Sequence, residues 1–370
     1  MPLIDQPPFA DELQAALAAR GGEAVSVPMI QPAEPFLDTA GEDLRRRIFM
    51  TESETGASLC LRPEFTIPVC RRHIEAAAGT PRRYAYGGPV FRQRREGPRE
   101  FFQAGIEDLG DPERAKADAR VIGDAVAVLE TLLGDGLSTT IGDQAVFEAV
   151  VAALGLPRGW QKRLVHAFGN PVALAAMLES LADPQPADDL ADARAAELVA
   201  SGEEAALARH VGARMEETGY SPHAGRTPEA IAHRLMEKTE LARTRLEPSA
   251  LAVLQEFLSF DVPLAGAPSE LARFAERTGL AIGEALKDFS ARVAALGHAP
   301  IAAMHYRAAF GRPLDYYTGL VFEVTDEDGA VLAGGGRYDR LMTMLGAAEP
   351  IPAVGFALWL DRIERARAKR

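Results

Sequence analysis

Two cysteines in 370 residues are too few for a disulfide framework, and Cys60 and Cys70 lack the company that metal-ligand spacing needs. Two reduced, partly buried thiols are the expectation. The seven histidines form no HExxH or paired cluster, which sets a metal site aside. No apolar run approaches the roughly 20 residues of a membrane span. The opening MPLIDQPPFADELQ has neither the basic start nor the apolar core of a secretion signal. Positive charge is also short: 40 Lys and Arg face 53 Asp and Glu, a net charge of −13. That balance opposes a surface built for nucleic acid, where phosphates demand a positive field. Internal repeats and low-complexity tracts are missing as well. These absences predict a cytoplasmic chain with no membrane partner, no metal and no cofactor.

Hydrophobic residues at 47% and charged residues at 25% describe an ordinary globular protein, long enough for one large domain or two. An amphipathic helix is predicted over Ala10–Arg20, closed by Gly21-Gly22, and a strand over Ala24–Ile30. From Ser58 to Asp108 short strands alternate with Gly/Pro turns, and a helix follows over Glu113–Leu133. Residues from about 141 to 297 are Ala-, Leu- and Glu-rich, with helix starts at Thr227-Pro228 and Pro268-Ser269. We read them as a helical insertion containing a loop at Ala182–Asp192. Strand character returns at Ile301–Ala309, Leu320–Val324, Ala330–Ala333 and Ala353–Leu358, before a helix with a cationic end that suits its dipole. Strands from both halves point to one α+β sheet, interrupted once.

Recognition chemistry concentrates in FRQRREGPREFFQAGIE (Phe91–Glu107), GRPLDYY (Gly311–Tyr317) and GGGRYDRL (Gly334–Leu341). Arg92 offers a planar fork suited to a carboxylate or phosphate, although a lone strand arginine is commonly a surface residue. Gln103 and Glu107, four apart on a predicted strand, project to one face, where a carboxylate could accept an azole N–H. Glu64, after Pro63, could accept from an ammonium or simply pair with Arg62. Arg312, Tyr316 and Tyr317 lie within six residues, and the tyrosines combine an apolar ring with a polar tip; two core tyrosines would look the same. The glycines at 334–336 read as a turn that permits close backbone approach. Buried charge of this kind is costly without a ligand or partner, so a site for a small zwitterion is the economical reading.

In order and local context these segments resemble the catalytic core of histidyl-tRNA synthetase, a class II aminoacyl-tRNA synthetase, over nearly the whole chain. Pro28 matches the first-motif proline at that family's dimer interface, Phe91-Arg92 through Glu107 the second motif, and Val354–Arg362 the third. Arg312–Tyr317 and Gly335–Asp339 match the segments peculiar to histidine recognition. The resemblance implies a six-stranded antiparallel sheet flanked by helices, a single class II synthetase-like domain over residues 1–370, and a dimer. It also implies a histidine pocket of Glu64, Thr66, Gln103, Glu107, Tyr316 and Tyr317, with Arg312 in the place of a catalytic arginine.

The departures fall on the ATP side. Arg94 replaces a glutamate that accepts from adenine, and it has donors only. Trp359 replaces a glycine, Asp361 a glutamate and Phe65 a glycine beside the amino-acid pocket, while the loop between Arg94 and Phe102 is short. The chain ends eight residues past Arg362, so no anticodon-binding domain and no tRNA are expected. Activation needs both reactants held together. The combination resembles the ATP phosphoribosyltransferase regulatory subunits, synthetase paralogues that partner a short-form catalytic subunit in the first step of histidine biosynthesis. The expectation is therefore a non-catalytic subunit, a homodimer within a hetero-oligomer, with histidine as effector. In it Glu64 and Gln103 hold the ammonium, Glu107 and a tyrosine the imidazole, and Arg92 or Arg312 the carboxylate. The alternative is an active histidine-activating enzyme, either synthetase-like or an amino-acid ligase.

Overall fold

The computed structural model describes residues 7–39, 41–76, 81–95, 97–183, 192–218, 227–297, 304–312, 314 and 316–370. Its strands are β1 (Glu23–Ala24), β2 (Ile30–Pro32), β3 (Met50–Glu52), β4 (Ser58–Leu61), β5 (Arg82–Phe91), β6 (Glu100–Leu109), β7 (Ser138–Asp143), β8 (Asp261–Pro263), β9 (Met304–Arg307), β10 (Leu320–Thr325), β11 (Val331–Arg337) and β12 (Ala353–Trp359). Nine of them form one sheet in the order β1-β5-β6-β12-β11-β10-β7-β9-β8, and β2-β4-β3 form a second. From β5 to β7 every neighbouring pair is antiparallel, which gives the expected six antiparallel strands. The sheet then extends beyond them, through parallel β1 at one edge and parallel β9 followed by β8 at the other.

Local expectations meet the structure unevenly. The first helix spans Ala10–Ala19, and the helix after β6 spans Arg114–Leu133. The strand predicted over Ala24–Ile30 is two short pieces instead, β1 and β2, with Val25–Met29 outside either. Pro28 has no N–H to donate and splits the run. The Gly334–Gly336 triplet is no turn but the centre of β11. The segment 141–297 is largely helical, yet β7 enters it and β8 lies within it. STTIGD is short, and its buried partner β10 stands far away in sequence, so the neighbours of Ser138–Asp143 gave no warning. Residues 184–191 of the expected loop and 301–303 of an expected strand lie outside the described residues.

Two compact units divide the chain. The first holds Met1–Val150, Phe168–Asn170 and Glu256–Arg370; the second holds Val151–Ala167 and Pro171–Gln255. The first contains both sheets. The long helix Arg114–Leu133 lies against β10, β11 and β12, burying Val121, Ile122, Ala125, Val128 and Leu129. Its Asp118 is fully buried and bridges Arg337 at the end of β11 and Arg292 on the helix Gly283–Leu296. The second unit is helical and has its own core around Leu198, Val199, Leu207 and Ala232. Asp192 caps the helix Ala193–Ser201 by accepting from the Arg194 and Ala195 N–H groups. Thr227 caps the helix Pro228–Arg243, whose Pro228 takes a first-turn position that proline suits. Cys60 and Cys70 are buried free thiols. No described helix is long and apolar enough to cross a membrane.

Candidate functional site

A cavity of ≈ 1280 Å³ opens in the first unit, and all eight predicted residues line it: Glu64, Thr66, Arg92, Gln103, Glu107, Arg312, Tyr316 and Tyr317. Alternation along β6 puts Gln103 and Glu107 on one face, as their spacing predicts. Sheet register decides what each meets. Glu107 lies directly across from Gly355 on β12, and Gln103 lies across from Trp359. A Cβ on residue 355 would stand 1.8 Å from Glu107 Oε2, so glycine there makes the space that the carboxylate fills.

Glu64 does not pair with Arg62. Its two oxygens accept from the Thr66 and Ile67 N–H groups at 2.7 and 2.9 Å, capping the helix Thr66–Glu75. Arg62 donates instead to the Val27 and Pro89 carbonyls at 2.6 and 2.9 Å, and its guanidinium lies 4.1 Å from the Phe65 ring centre. Phe65 stacks in turn on Tyr86, with ring centres 4.6 Å apart. The aromatic residue at this position thus belongs to the cavity wall and the core together.

Glu107 is the most constrained group. It accepts from Thr66 Oγ1 at 2.7 Å and from the Tyr338 hydroxyl. Burial pushes its carboxyl up to about 8, against the pull of those hydroxyls and with a further push from Glu64. Glu64 is also raised by burial, opposed by its two N–H donors and by the positive charge of Arg92. Burial thus raises both carboxyls, with Glu64 raising Glu107 further and the donors around them opposing, so a cation or strong donor brought between them favours their charged forms. Tyr316 packs against Tyr317 and Tyr338, at 5.1 and 5.9 Å between ring centres.

The arginines are anchored differently. Arg92 Nε donates to the Pro63 carbonyl at 2.7 Å, and burial lowers its guanidinium to about 10. Arg312 Nη1 donates to Glu323 at 2.5 Å. Glu323 sits across from Gly334 on β11, where a Cβ would fall 2.0 Å from Arg312 Nη1. That clash accounts for Gly334, while a Cβ at Gly335 would meet the Gly355 carbonyl at 2.1 Å and one at Gly336 the Leu320 carbonyl at 2.5 Å. Arg94 lies over Phe101 at 3.8 Å. Trp359 is buried, with its ring centre 5.5 Å from the Arg312 guanidinium and 5.1 Å from that of Arg362.

Tyr338, Glu323 and Gly355 escaped prediction as site residues. Tyr338 follows Arg337, and the two turn to opposite sides: Arg337 to buried Asp118, Tyr338 to Glu107. The period of two along a strand was the available signal.

A profile of the histidyl-tRNA synthetase family matches residues 8–220 and 229–363. The ATP phosphoribosyltransferase regulatory subunit of Rhizobium rhizogenes is 64% identical over 372 residues, covering all of both chains. Its namesake in Rhizobium meliloti is 62% identical, covering all of this chain and 99% of that one. Among solved structures, a Bacillus halodurans C protein described as an ATP phosphoribosyltransferase regulatory subunit/histidyl-tRNA synthetase superposes with TM-score 0.63 at 20% identity, covering 99% of this chain and 84% of that one. Histidyl-tRNA synthetase from Nostoc sp. PCC 7120 gives 0.66 at 15%, covering all of this chain and 75% of that one. These two likenesses show a shared fold, and full-length identity to the curated relatives shows more: the chain belongs to the ATP phosphoribosyltransferase regulatory subunits, a family carried on the histidyl-tRNA synthetase domain.

Proposed function

We propose that this chain is the non-catalytic partner of a short-form catalytic ATP phosphoribosyltransferase subunit, and that it senses histidine in the cavity to regulate the first step of histidine biosynthesis. Glu64 and Gln103 receive the ammonium, while Glu107 and a tyrosine receive the imidazole. Arg92 or Arg312 pairs with the carboxylate, and Thr66 orients Glu107. The observation that carries this reading is the Glu107 carboxyl held between Thr66 and Tyr338, on one strand face with Gln103. A ligand bringing an ammonium and an azole N–H relieves two crowded carboxyls, which an ordinary apolar amino acid cannot do as well. Trp359 across from Gln103 and Arg94 over Phe101 support loss of nucleotide activation, because they stand where the adenine-binding residues would be. The acidic balance of −13 supports a role apart from tRNA. The chain acts as a homodimer inside a cytoplasmic hetero-oligomer.

Feedback requires that histidine bind the inhibited complex more tightly than the active one, by about 1–3 kcal/mol of coupling in typical cases. Calorimetric titration of the chain with histidine tests the site. Binding is expected, and it should weaken in Glu107→Ala while assembly with the catalytic subunit persists. Equal loss of binding and assembly would refute the assignment of Glu107. Histidine-dependent exchange of diphosphate into ATP would return an activating enzyme to the front.

A further inference from the structure

A long stretch without negative charge runs into the second compact unit. From Ala149 to Leu178 the sequence has no Asp or Glu, although the whole chain holds 53 of them in 370 residues. The stretch contains Arg158, Lys162 and Arg163, all on the helix Arg158–Ala167. Their side chains are exposed, and among the described residues none of the three makes an ion pair with a carboxylate. Arg158 and Lys162 stand four apart, one turn along the same face. Arg163 lies over the Trp160 ring, 5.7 Å from its centre, a contact that uses the guanidinium's face and leaves its in-plane donors for an acceptor. Elsewhere in this unit Arg194 and Arg214 pair with Glu197 and Glu217 on their own helices. The acid-free helix offers its cations no such partner.

The helix Pro171–Ala182 adds an apolar component. It packs against Arg158–Ala167 and buries Leu174 and Leu181, while Val172 stands outward at 81% exposure. Exposed Ala175 and Ala176 share its face at three- and four-residue spacing. Among the described residues of this unit no other large apolar side chain is as open. This mixture selects among partners. A nucleic acid is held by many phosphate contacts, on the order of 6–10, and three cations in a chain of net charge −13 fall short. A membrane surface wants Trp, Phe or Leu on the apolar face, but Trp160, Leu164, Leu174 and Leu181 are buried. An acidic protein segment fits: carboxylates one turn apart meet Arg158 and Lys162, and a small apolar side chain meets Val172.

We propose that the helices Arg158–Ala167 and Pro171–Ala182 form a docking surface for an acidic, amphipathic segment of the catalytic subunit. The proposal rests on the reading of this chain as that subunit's partner, and it adds where the partner is met and by what chemistry. Exposed charges of this kind act chiefly on the association rate and its salt dependence, whereas the apolar contact at Val172 acts on the lifetime of the complex.

The experiment measures binding kinetics of the full chain with its cognate short-form catalytic subunit, at low and at high salt. The variants are Arg158→Glu/Lys162→Glu, Val172→Asp and, as a control in the first unit, Lys287→Glu, each replacing an exposed side chain. The double variant is expected to lose about tenfold or more in affinity at low salt, mostly in association rate, and to lose most of the salt dependence. Val172→Asp should raise the dissociation rate, and Lys287→Glu should bind as the parent does. In the parent complex, carbodiimide coupling should join the Lys162 amine to a Glu or Asp of the catalytic subunit, a readout that needs no variant to fold. No binding by the parent chain would overturn the partner reading and this surface with it. Parent-like binding by the double variant would overturn the surface alone. So would a complex in which Lys162 couples to nothing, or a parent chain that binds an RNA hairpin or phosphatidylserine vesicles more tightly than the catalytic subunit.

Discussion

The contest at Glu107 is between burial, which favours the protonated carboxyl, and the Thr66 and Tyr338 hydroxyls, which favour the charged one. Burial wins and pushes the group up to about 8, whereas a glutamate in an unfolded chain ionises near 4.3. Between those values the folded chain holds a proton that the unfolded chain has released. Stability from this group is therefore full below the unfolded value and declines as pH rises toward 8; Glu64, also raised, slopes the same way. Urea denaturation should give a higher midpoint at pH 5 than at pH 8, and Glu107→Gln, neutral throughout, should shrink that difference. An identical difference in the variant would refute the assignment. That Gln103 and Glu107 share a face was legible from their spacing, while Glu64 joined them only through the family resemblance. The roles of Gly334 and Gly355 were not legible, since both depend on side chains of other strands reaching into the room that a missing Cβ leaves.

Elements show a division of labour that a motif conceals. GGRYD reads as one recognition segment, yet Arg337 is committed to the helix Arg114–Leu133 and to Asp339, and only Tyr338 faces the carboxyl pair. Asp118 binds Arg337 at 2.6 Å and Arg292 at 2.8 Å, joining a strand end and two helices through one buried carboxylate. Burial alone would raise Asp118, and its two arginines oppose that. Replacing Asp118 by Ala leaves two buried cations short of a partner, an expected cost of about 3 kcal/mol or more in unfolding free energy. A loss under about 1 kcal/mol would mean that Asp143 and Asp339 hold the two guanidiniums unaided.

Across the whole molecule, every residue lining the cavity belongs to the first compact unit. The second unit has separate apolar contacts, and Trp160 Nε1 donates to the Leu241 carbonyl within it at 2.9 Å. Leu207 is fully buried there, so Leu207→Ala should cost about 2–5 kcal/mol. Hydrogen exchange should then quicken in the helices Ala193–Ser201, Glu204–Glu217 and Pro228–Arg243, with histidine titration unaltered. Faster exchange spread evenly over the strands would show instead that the two units unfold as one.

The sequence by itself determined the α+β class, the positions of the long helices and most long strands, and the identity of eight residues that share one cavity. Periodicity carries the class and the elements, because it is set by a residue's near neighbours along the chain; the eight residues were named through the resemblance of their motifs to the histidyl-tRNA synthetase family. Tertiary structure alone decided that β7 joins the sheet, that Gly355 faces Glu107, that Tyr338 completes the carboxyl's partners, and that Arg312 keeps an unused donor. Those outcomes rest on register between strands distant in sequence, where a slip of one residue would exchange every inward side chain for an outward one.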